Sequence, residues 1–486
     1  MAGFSGFTFV GAAVVLGLAG SPSIAGELSS AEQASIQQSV DKDSGQLSDT
    51  AMKIWQWAEV GYQEDRSSAL LQARLAKTGF SIDKGVAGMP TAFVARYKRG
   101  SGGPVIGMIA EYDALPGLSQ EAVAERSPIA GQSAGHACGH NVFGAASVSA
   151  AIAIKEWMDA NRIDGELRVY GSPAEEGGSG KVYLVRAGLF NDVDTVLHWH
   201  PGDRNNASQS RSLANISGKF RFKGVSSHAA AAPSRGLSAL DGVEVMNVAV
   251  NYLREHVPDG TRIHYVVTDG GSAPNVVPDK AESYYYVRHV DPQVVKEVMA
   301  RVQRAAEGAA MATGTTFSFE ATGGVYSMLP NATLAAVMDR NLRSVKWEPF
   351  TPAEVAFAQD IQETLPVKKP LSSATEVDEV KIGENGGGST DVADISWTVP
   401  TVGLGTAVWV PGTPAHSWQA VAASGASYGI KGGVVAAKTL ALTAAQLYRS
   451  PELIAAAKSE FDKARGSDFQ YQAMVGERQP PLDYRK

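Results

Sequence analysis

The chain of 486 residues predicts an α/β fold interrupted by an inserted ferredoxin-like (βαββαβ) domain, on three observations. Apolar runs of strand length alternate with Gly-rich or acidic turns and with an Ala-rich run of helical length. Near residue 217 this gives way to strand, helix, two strands, helix and strand, a complete split-βαβ unit. Beyond residue 328 helices and one further strand resume the first pattern. The composition, 44% hydrophobic and 19% charged, is that of a globular chain long enough for two or more packed domains.

In chain order, residues 1–25 come first. An apolar run from Phe7 to Ala19 precedes Ser23-Ile24-Ala25, the small-x-small pattern of a signal peptide cut after about Ala25. No Lys or Arg precedes the run, which is short for a membrane span. The expectation is an exported, periplasmic protein that is free of the membrane after processing. Residues 26–216 form the first part of the main domain. There "TAFVARYKRGSGGPVIGMIAEYDALP" reads as two strands around a Gly-rich turn. The "AEYDALP" stretch falls at the second strand's carboxyl end, where α/β sheets present binding residues. Val142 to Ala160 reads as a buried helix, and "ELRVYGSPAEEGG" and "DTVLHWHPGD" each as a strand with its turn.

Residues 217–328 form the insert: "GKFRFKG", a helix from Ser238 to His256, "RIHYVVTDGG", "AESYYYVRHV", a helix from Pro292 to Ala312, and "TTFSFEATGG". Residues 329–450 return to the main domain with two helices, the strand "VPTVGLGTAV" and a helix from about Ala423 to Leu447. Residues 451–486 are a C-terminal extension, whose Pro-rich end "ERQPPLDYRK" is expected to be a loose tail. The net charge of −7 and the lack of a Lys/Arg run argue against a nucleic-acid partner.

The single cysteine, Cys138 in "HACGHN", has no internal disulfide partner. An exported thiol oxidises unless it is buried or occupied, which leaves core filler, a nucleophile or a metal ligand. His136, Cys138 and His140 alternate along the chain, so in an extended segment they share a side. Thiolate with imidazole suits zinc and related divalent metals. A buried structural cysteine fits the same pattern. Glu175 and Glu176 follow an apolar strand. As neighbours on an extended chain they face opposite ways, so one could bind metal and the other act as a general base. A solvated acidic loop is the alternative. His198 and His200 lie at another strand end, as ligands or as packing, and His416 lies in a Gly/Pro loop before a helix. Together these residues match a two-metal hydrolase better than one structural zinc.

From about residue 48 to 447 the chain resembles the di-metal aminoacylase/carboxypeptidase amidohydrolases. The resemblance is carried by "EYDALP", "GHACGHN", "SPAEEGG", "WHPGD", "GGSAPNVVPDKAE", "GGSTDVADISW", "GTPAHSW" and the long block "FRFKGVSSHAAAAPSRGLSALDGVEVMNVAVNYLREH". It implies a di-metal peptidase-like catalytic domain with an inserted lid and dimerisation domain. It also implies two divalent metal ions, zinc or manganese, held by Cys138, His140, Glu176, His200 and His416. His200, not His198, is implied by the family spacing of 24 residues from Glu176. Cys138 would bridge the two ions. Glu175 would be the general base, Asp113 would support the ligands, and Glu111, where other members carry a histidine ligand, has no assigned role. His228 would stabilise the oxyanion, while Asn275 and Arg288 would hold a substrate carboxylate; His228 and Asn275 are implied to serve the site of a second subunit. The implied reaction is hydrolysis of the amide bond in small N-acyl or aroyl amino acids such as aminobenzoyl-glutamate. A homodimer through the insert, or a hetero-oligomer with a homologous subunit, is the implied assembly. Three alternatives stay open here: a dipeptidase or carboxypeptidase acting on aromatic conjugates, a non-catalytic partner subunit, and a hydrolase using Cys138 as nucleophile.

Overall fold

The computed structural model describes residues 26–485; the expected signal peptide, residues 1–25, lies outside the described residues. The first half of the chain supplies β1 (Ser81–Lys84), β2 (Phe93–Arg99), β3 (Val105–Glu111), β4 (Gly165–Ser172) and β5 (Thr195–Gly202). The insert supplies β6 (Ala214–Lys223), β7 (Arg262–Asp269), β8 (Lys280–His289) and β9 (Thr316–Val325), and β10 (Thr401–Ala407) follows it. The main sheet has the order β1-β2-β4-β3-β5-β10. Its last four strands are mutually parallel, and β1 and β2 form an antiparallel edge.

A parallel sheet needs both faces covered, and β3 shows this: from Ile106 to Glu111 every residue is buried. The principal helices of the main domain are α1 (Ser30–Trp57), α2 (His140–Asn161) and, after the insert, α5 (Ser427–Arg449). The Ala-rich run in α2 lets it pack closely on α1 and α5, and it is buried continuously from His140 to Ile154. At Gly144 a Cβ would stand 2.6 Å from the Glu111 carbonyl oxygen. Glycine there presses the start of α2 against the carboxyl end of β3, where the site lies.

The insert forms an antiparallel sheet of order β7-β8-β6-β9, with α3 (Ala239–Leu253) and α4 (Pro292–Thr313) packed on it. This is the ferredoxin-like order expected of βαββαβ. In β8 the alternate residues Ala281, Ser283, Tyr285, Val287 and His289 are buried, which turns Tyr284, Tyr286 and Arg288 to the opposite face. Pairing begins at Ala214, a few residues before the expected boundary.

The segment after α6 (Pro451–Arg465) differs from expectation. Its Pro-rich end is not loose: Gln63 Nε2 donates to the Leu482 carbonyl and Tyr484 OH to the Glu176 carbonyl (both 2.9 Å), and just before it Met474 and Val475 are buried against the two domains. Its anchors are side-chain contacts from elsewhere in the chain, which polar, Pro-rich composition does not reveal. Among the described residues no helix is long and apolar enough to cross a membrane.

Candidate metal centre

The chemistry-bearing residues gather at the carboxyl ends of the parallel strands. Asp113 follows β3, Glu175 and Glu176 follow β4, His198 and His200 lie in β5, and His416 lies in the loop after β10. Cys138 and His140 converge by a turn, not by the expected extended alternation. Gly139 adopts φ +70, where a Cβ would also meet Pro201 at 2.8 Å, and His140 is the first residue of α2. His416 is itself in the left-handed region, φ 58, and its N–H donates to the Ala137 carbonyl (3.2 Å).

Two sets of ligand atoms result. Cys138, His140 and His200 bring theirs within 4.8 Å of one another, and so do Cys138, Glu176 and His416. Cys138 belongs to both. His416 Nε2 lies 3.1 Å from Cys138 Sγ and 3.3 Å from Glu176 Oε1. Glu111, His140 and Glu175 form a third, overlapping group.

The donor chemistry fits cations. Nδ1–H of His140 donates to Asp113 Oδ1 (2.9 Å), which leaves the Nε2 lone pair facing Glu111 Oε2 at 3.1 Å. Nδ1–H of His200 donates to the Pro201 carbonyl (2.7 Å), leaving its Nε2 free as well. His140 Nε2, Glu111 Oε2 and Glu176 Oε1 are buried without a hydrogen-bond partner. Lone pairs converging in this way repel unless positive charge lies between them. Titration tells the same story. Burial opposes charge on His140, but the carboxylates of Asp113 and Glu111 outweigh it and raise the ring to about 10. Burial, then Glu176 and Glu175, push the Cys138 thiol well up. Burial, then Glu176 and Glu111, push Glu175 well up. A cluster that gathers protons in this way is one that divalent cations neutralise.

Asp113 ties the halves together: its Oδ1 accepts from His140 and its Oδ2 from the Glu176 N–H (2.9 Å). His136 hydrogen-bonds the Ile54 carbonyl through Nε2 (3.0 Å), and burial lowers it to about 3. His198 is lowered to about 4 by burial and packs over Gly403, where a Cβ would stand 2.3 Å from the ring. Neither joins a ligand group among the described residues.

A cavity of about 720 Å³ opens over the cluster, lined by Cys138, Glu175, Glu176, His200 and His416 together with Arg288 from the insert. Arg288 Nη1 donates to Ser389 Oγ (3.2 Å). His228 and Asn275 do not line it. They sit together on exposed turns of the insert, where the Ala229 N–H donates to the Asn275 carbonyl (3.0 Å). His228 Nδ1 accepts from the N–H groups of Ala230 and Ala231 (3.2 and 3.1 Å), which leaves Nε2–H as an outward donor.

Sequence reasoning missed a buried network beneath the ligands. Lys181 Nζ lies 2.8 Å from Glu111 Oε1 and 2.7 Å from Asp391 Oδ1, and the Lys181 N–H donates to Asp391 Oδ2 (2.9 Å). Glu64, fully buried and raised to about 8 chiefly by desolvation, accepts from Thr91 and from the Ala174 N–H (both 2.9 Å).

The first part of the insert, residues 214–313, matches the family model described as "Peptidase dimerisation domain". Over 453 residues the chain is 37% identical to one of the subunits of the p-aminobenzoyl-glutamate hydrolase of Escherichia coli (strain K12), covering 87% of this chain and 94% of that protein. The chain belongs to the M20 family of metal-dependent amide hydrolases. This M20 chain is also 28% identical to a Mus musculus Xaa-Arg dipeptidase, over 87% of its own length and 90% of the relative's. Its fold is shared with the aminobenzoyl-glutamate utilization protein from Klebsiella pneumoniae (TM-score 0.59, 17% identity, 83% of this chain and 98% of that one). It is also shared with a Bacillus subtilis protein described as a dinuclear metal binding peptidase from the M20 family (TM-score 0.57, 18% identity, 84% and 99%).

Proposed function

We propose that the protein hydrolyses the amide bond between an acyl or aroyl group and an amino acid, with Glu175 as general base beside two divalent cations. The observation that carries this reading is the membership of Cys138 in both ligand groups, with Glu175 next to the ligand Glu176. Cys138, His140, Glu176, His200 and His416 would hold the cations, zinc or manganese, with the thiolate favouring the former. Bound there, the cations supply Lewis acidity that lowers the pKa of water toward neutrality.

Glu175 takes a proton from the attacking water and returns it to the leaving nitrogen. Arg288, turned into the cavity by the alternation of β8, holds the substrate's carboxylate, since a guanidinium meets a carboxylate through two parallel N–H donors. The outward Nε2–H of His228 is suited to a developing oxyanion. Both His228 and Asn275 lie outside their own chain's cavity, which supports their use in the site of a second subunit. Exposed Val266 and Val267 on the edge strand β7, with Val245, Val248 and Tyr252 on α3, support docking of a second copy or a homologous subunit there. Export, as expected from residues 1–25, completes the reading.

A thiol raised by burial and by two carboxylates is the opposite of an activated nucleophile, which counts against Cys138 as the attacking group. The test is a panel of N-acyl and N-aroyl amino acids, aminobenzoyl-glutamate included, varied on each side of the amide with metal content measured. Chelator-reversible release of free amino acid is expected. Turnover that survives complete chelation, or a Glu175→Gln variant with unaltered kcat, would sink the proposal.

A further inference from the structure

The segment after α6 crosses both domains and finishes on the loop that carries Glu175 and Glu176. Met474 and its neighbour Val475 dock in different cores, Met474 in that of the insert and Val475 in that of the main domain. At Gly324 on β9 a Cβ would stand 2.7 Å from Met474 Cβ, so the segment lies flat on that strand. Arg478 Nη1 donates to the Thr322 carbonyl (2.5 Å), and its Nη2 lies 3.3 Å from Glu320 Oε1. From the main domain, Arg186 Nη1 donates to the carbonyls of Gly476 and Arg478, each at 2.7 Å. Gln63 Nε2 then holds the Leu482 carbonyl (2.9 Å).

The last contacts are the informative ones. Tyr484 OH donates to the Glu176 carbonyl (2.9 Å), and Arg485 Nη2 donates to the same oxygen (2.8 Å). Tyr484 packs edge-on against Tyr62, with ring centroids 5.6 Å apart. At Gly61 a Cβ would stand 2.2 Å from its hydroxyl, so only glycine admits it. The loop it reaches is bracketed by Ala174 (φ 56) and Ser179 (φ 57), two left-handed residues that are not glycine. Such a backbone persists only where its surroundings over-determine it. Glu64 holds the Ala174 N–H, Asp113 the Glu176 N–H, and Tyr62 OH the Gly178 carbonyl (2.7 Å). The Glu176 carbonyl is held as well, and among the described residues Tyr484 and Arg485 are its side-chain donors.

The geometry points to Tyr484 and Arg485 as positioning residues that hold the Glu175–Glu176 loop, anchored through Arg478 to the insert. This rests on the reading of Glu175 and Glu176 as reaction groups. Three variants of the full chain test it: Tyr484→Phe/Arg485→Ala, Tyr484→Phe/Arg485→Lys and Arg478→Ala. The readouts are amide hydrogen exchange at residues 174–180, zinc titration by calorimetry, and kcat and KM separately.

In the Tyr484→Phe/Arg485→Ala variant, exchange at 174–180 should rise about tenfold, one of the two zinc ions should bind about tenfold more weakly, and kcat should fall about tenfold with KM held within about twofold. Tyr484→Phe/Arg485→Lys should recover most of each, because an ammonium can donate to the same carbonyl. Arg478→Ala should speed exchange at 174–180 as well as in 472–485; a change confined to 472–485 overturns the anchoring to the insert. Exchange and kcat both within about twofold of the unaltered protein overturn the positioning role. Should the unaltered protein bind no zinc and hydrolyse nothing, the functional reading falls, while hydrogen exchange still decides whether these two residues hold the loop.

Discussion

Replacing Lys181 by methionine keeps the side chain's length and removes its charge. Lys181 is fully buried, with Glu111 and Asp391 at 2.8 and 2.7 Å, so the variant leaves Asp391 without its cation and Glu111 with only the His140 ring, 3.1 Å away, beside it. Each attraction is worth about 6 kcal/mol gross at an effective dielectric near 20. Desolvation of the lysine cancels much of this, and breaking a buried pair from one side costs about 3–5 kcal/mol net. The loss should depend on pH. Burial, only partly offset by Lys181, already raises Asp391 to about 6, above its unfolded value, and without the lysine it rises further. A carboxyl raised in the folded state favours folding when protonated, and that advantage is lost as pH rises through the folded pKa. The variant's deficit should therefore be small near pH 5 and largest near pH 8. Urea unfolding of chelator-treated protein, followed by tryptophan fluorescence at both pH values, measures it without interference from metal. A deficit below about 1 kcal/mol at pH 8, or the same deficit at both pH values, would refute the electrostatic account of this network.

Other outcomes follow from the same geometry. Cys138→Ser should lose both cations, read by elemental analysis, while circular dichroism stays unchanged, because one atom serves both ligand groups. If His228 serves a second subunit, Glu175→Gln and His228→Ala chains, each inactive alone, should regain about a quarter of normal turnover when refolded together, since half of the random dimers carry one intact site. Asp394 is raised to about 7 by burial, although the Tyr471 hydroxyl (2.7 Å) and the Tyr326 N–H (3.0 Å) both donate to it. Stability should decline as pH rises from about 4 to about 7, and Asp394→Asn should flatten that decline in a pH series of melting temperatures.

The sequence was most legible where local chemistry and strand order coincide. Apolar runs ending in "EYD", "SPAEE" and "LHWH" place their polar residues at one sheet edge because parallel strands share a direction. Spacing along the chain did not convey the turn at Gly139, which brings Cys138 and His140 together by left-handed backbone instead of extended alternation. Lys181 in "GSGKVYLV" looks like a solvated helix-start cation; its burial depends on Asp391, far away along the chain in "GGSTDVADISW", a stretch whose pattern carries no sign of a lysine partner. Glu64 was silent for the same reason: its partners are Thr91 and a backbone N–H beyond β4. The segment after α6 was misread because its docking depends on single side chains of the main domain and the insert, and its own composition is that of a tail.

The two ligand groups divide the chain in time as well as in space. Cys138, His140, Glu176 and His200 precede the insert, whereas His416 follows it. During synthesis from the N-terminus, the first three-ligand set is present before any of the insert has been made. The second set closes only after the insert and β10 have emerged. If the groups hold cations as proposed, early occupancy of the Cys138, His140 and His200 set would also shelter the one thiol from oxidants through the interval before the second set can close.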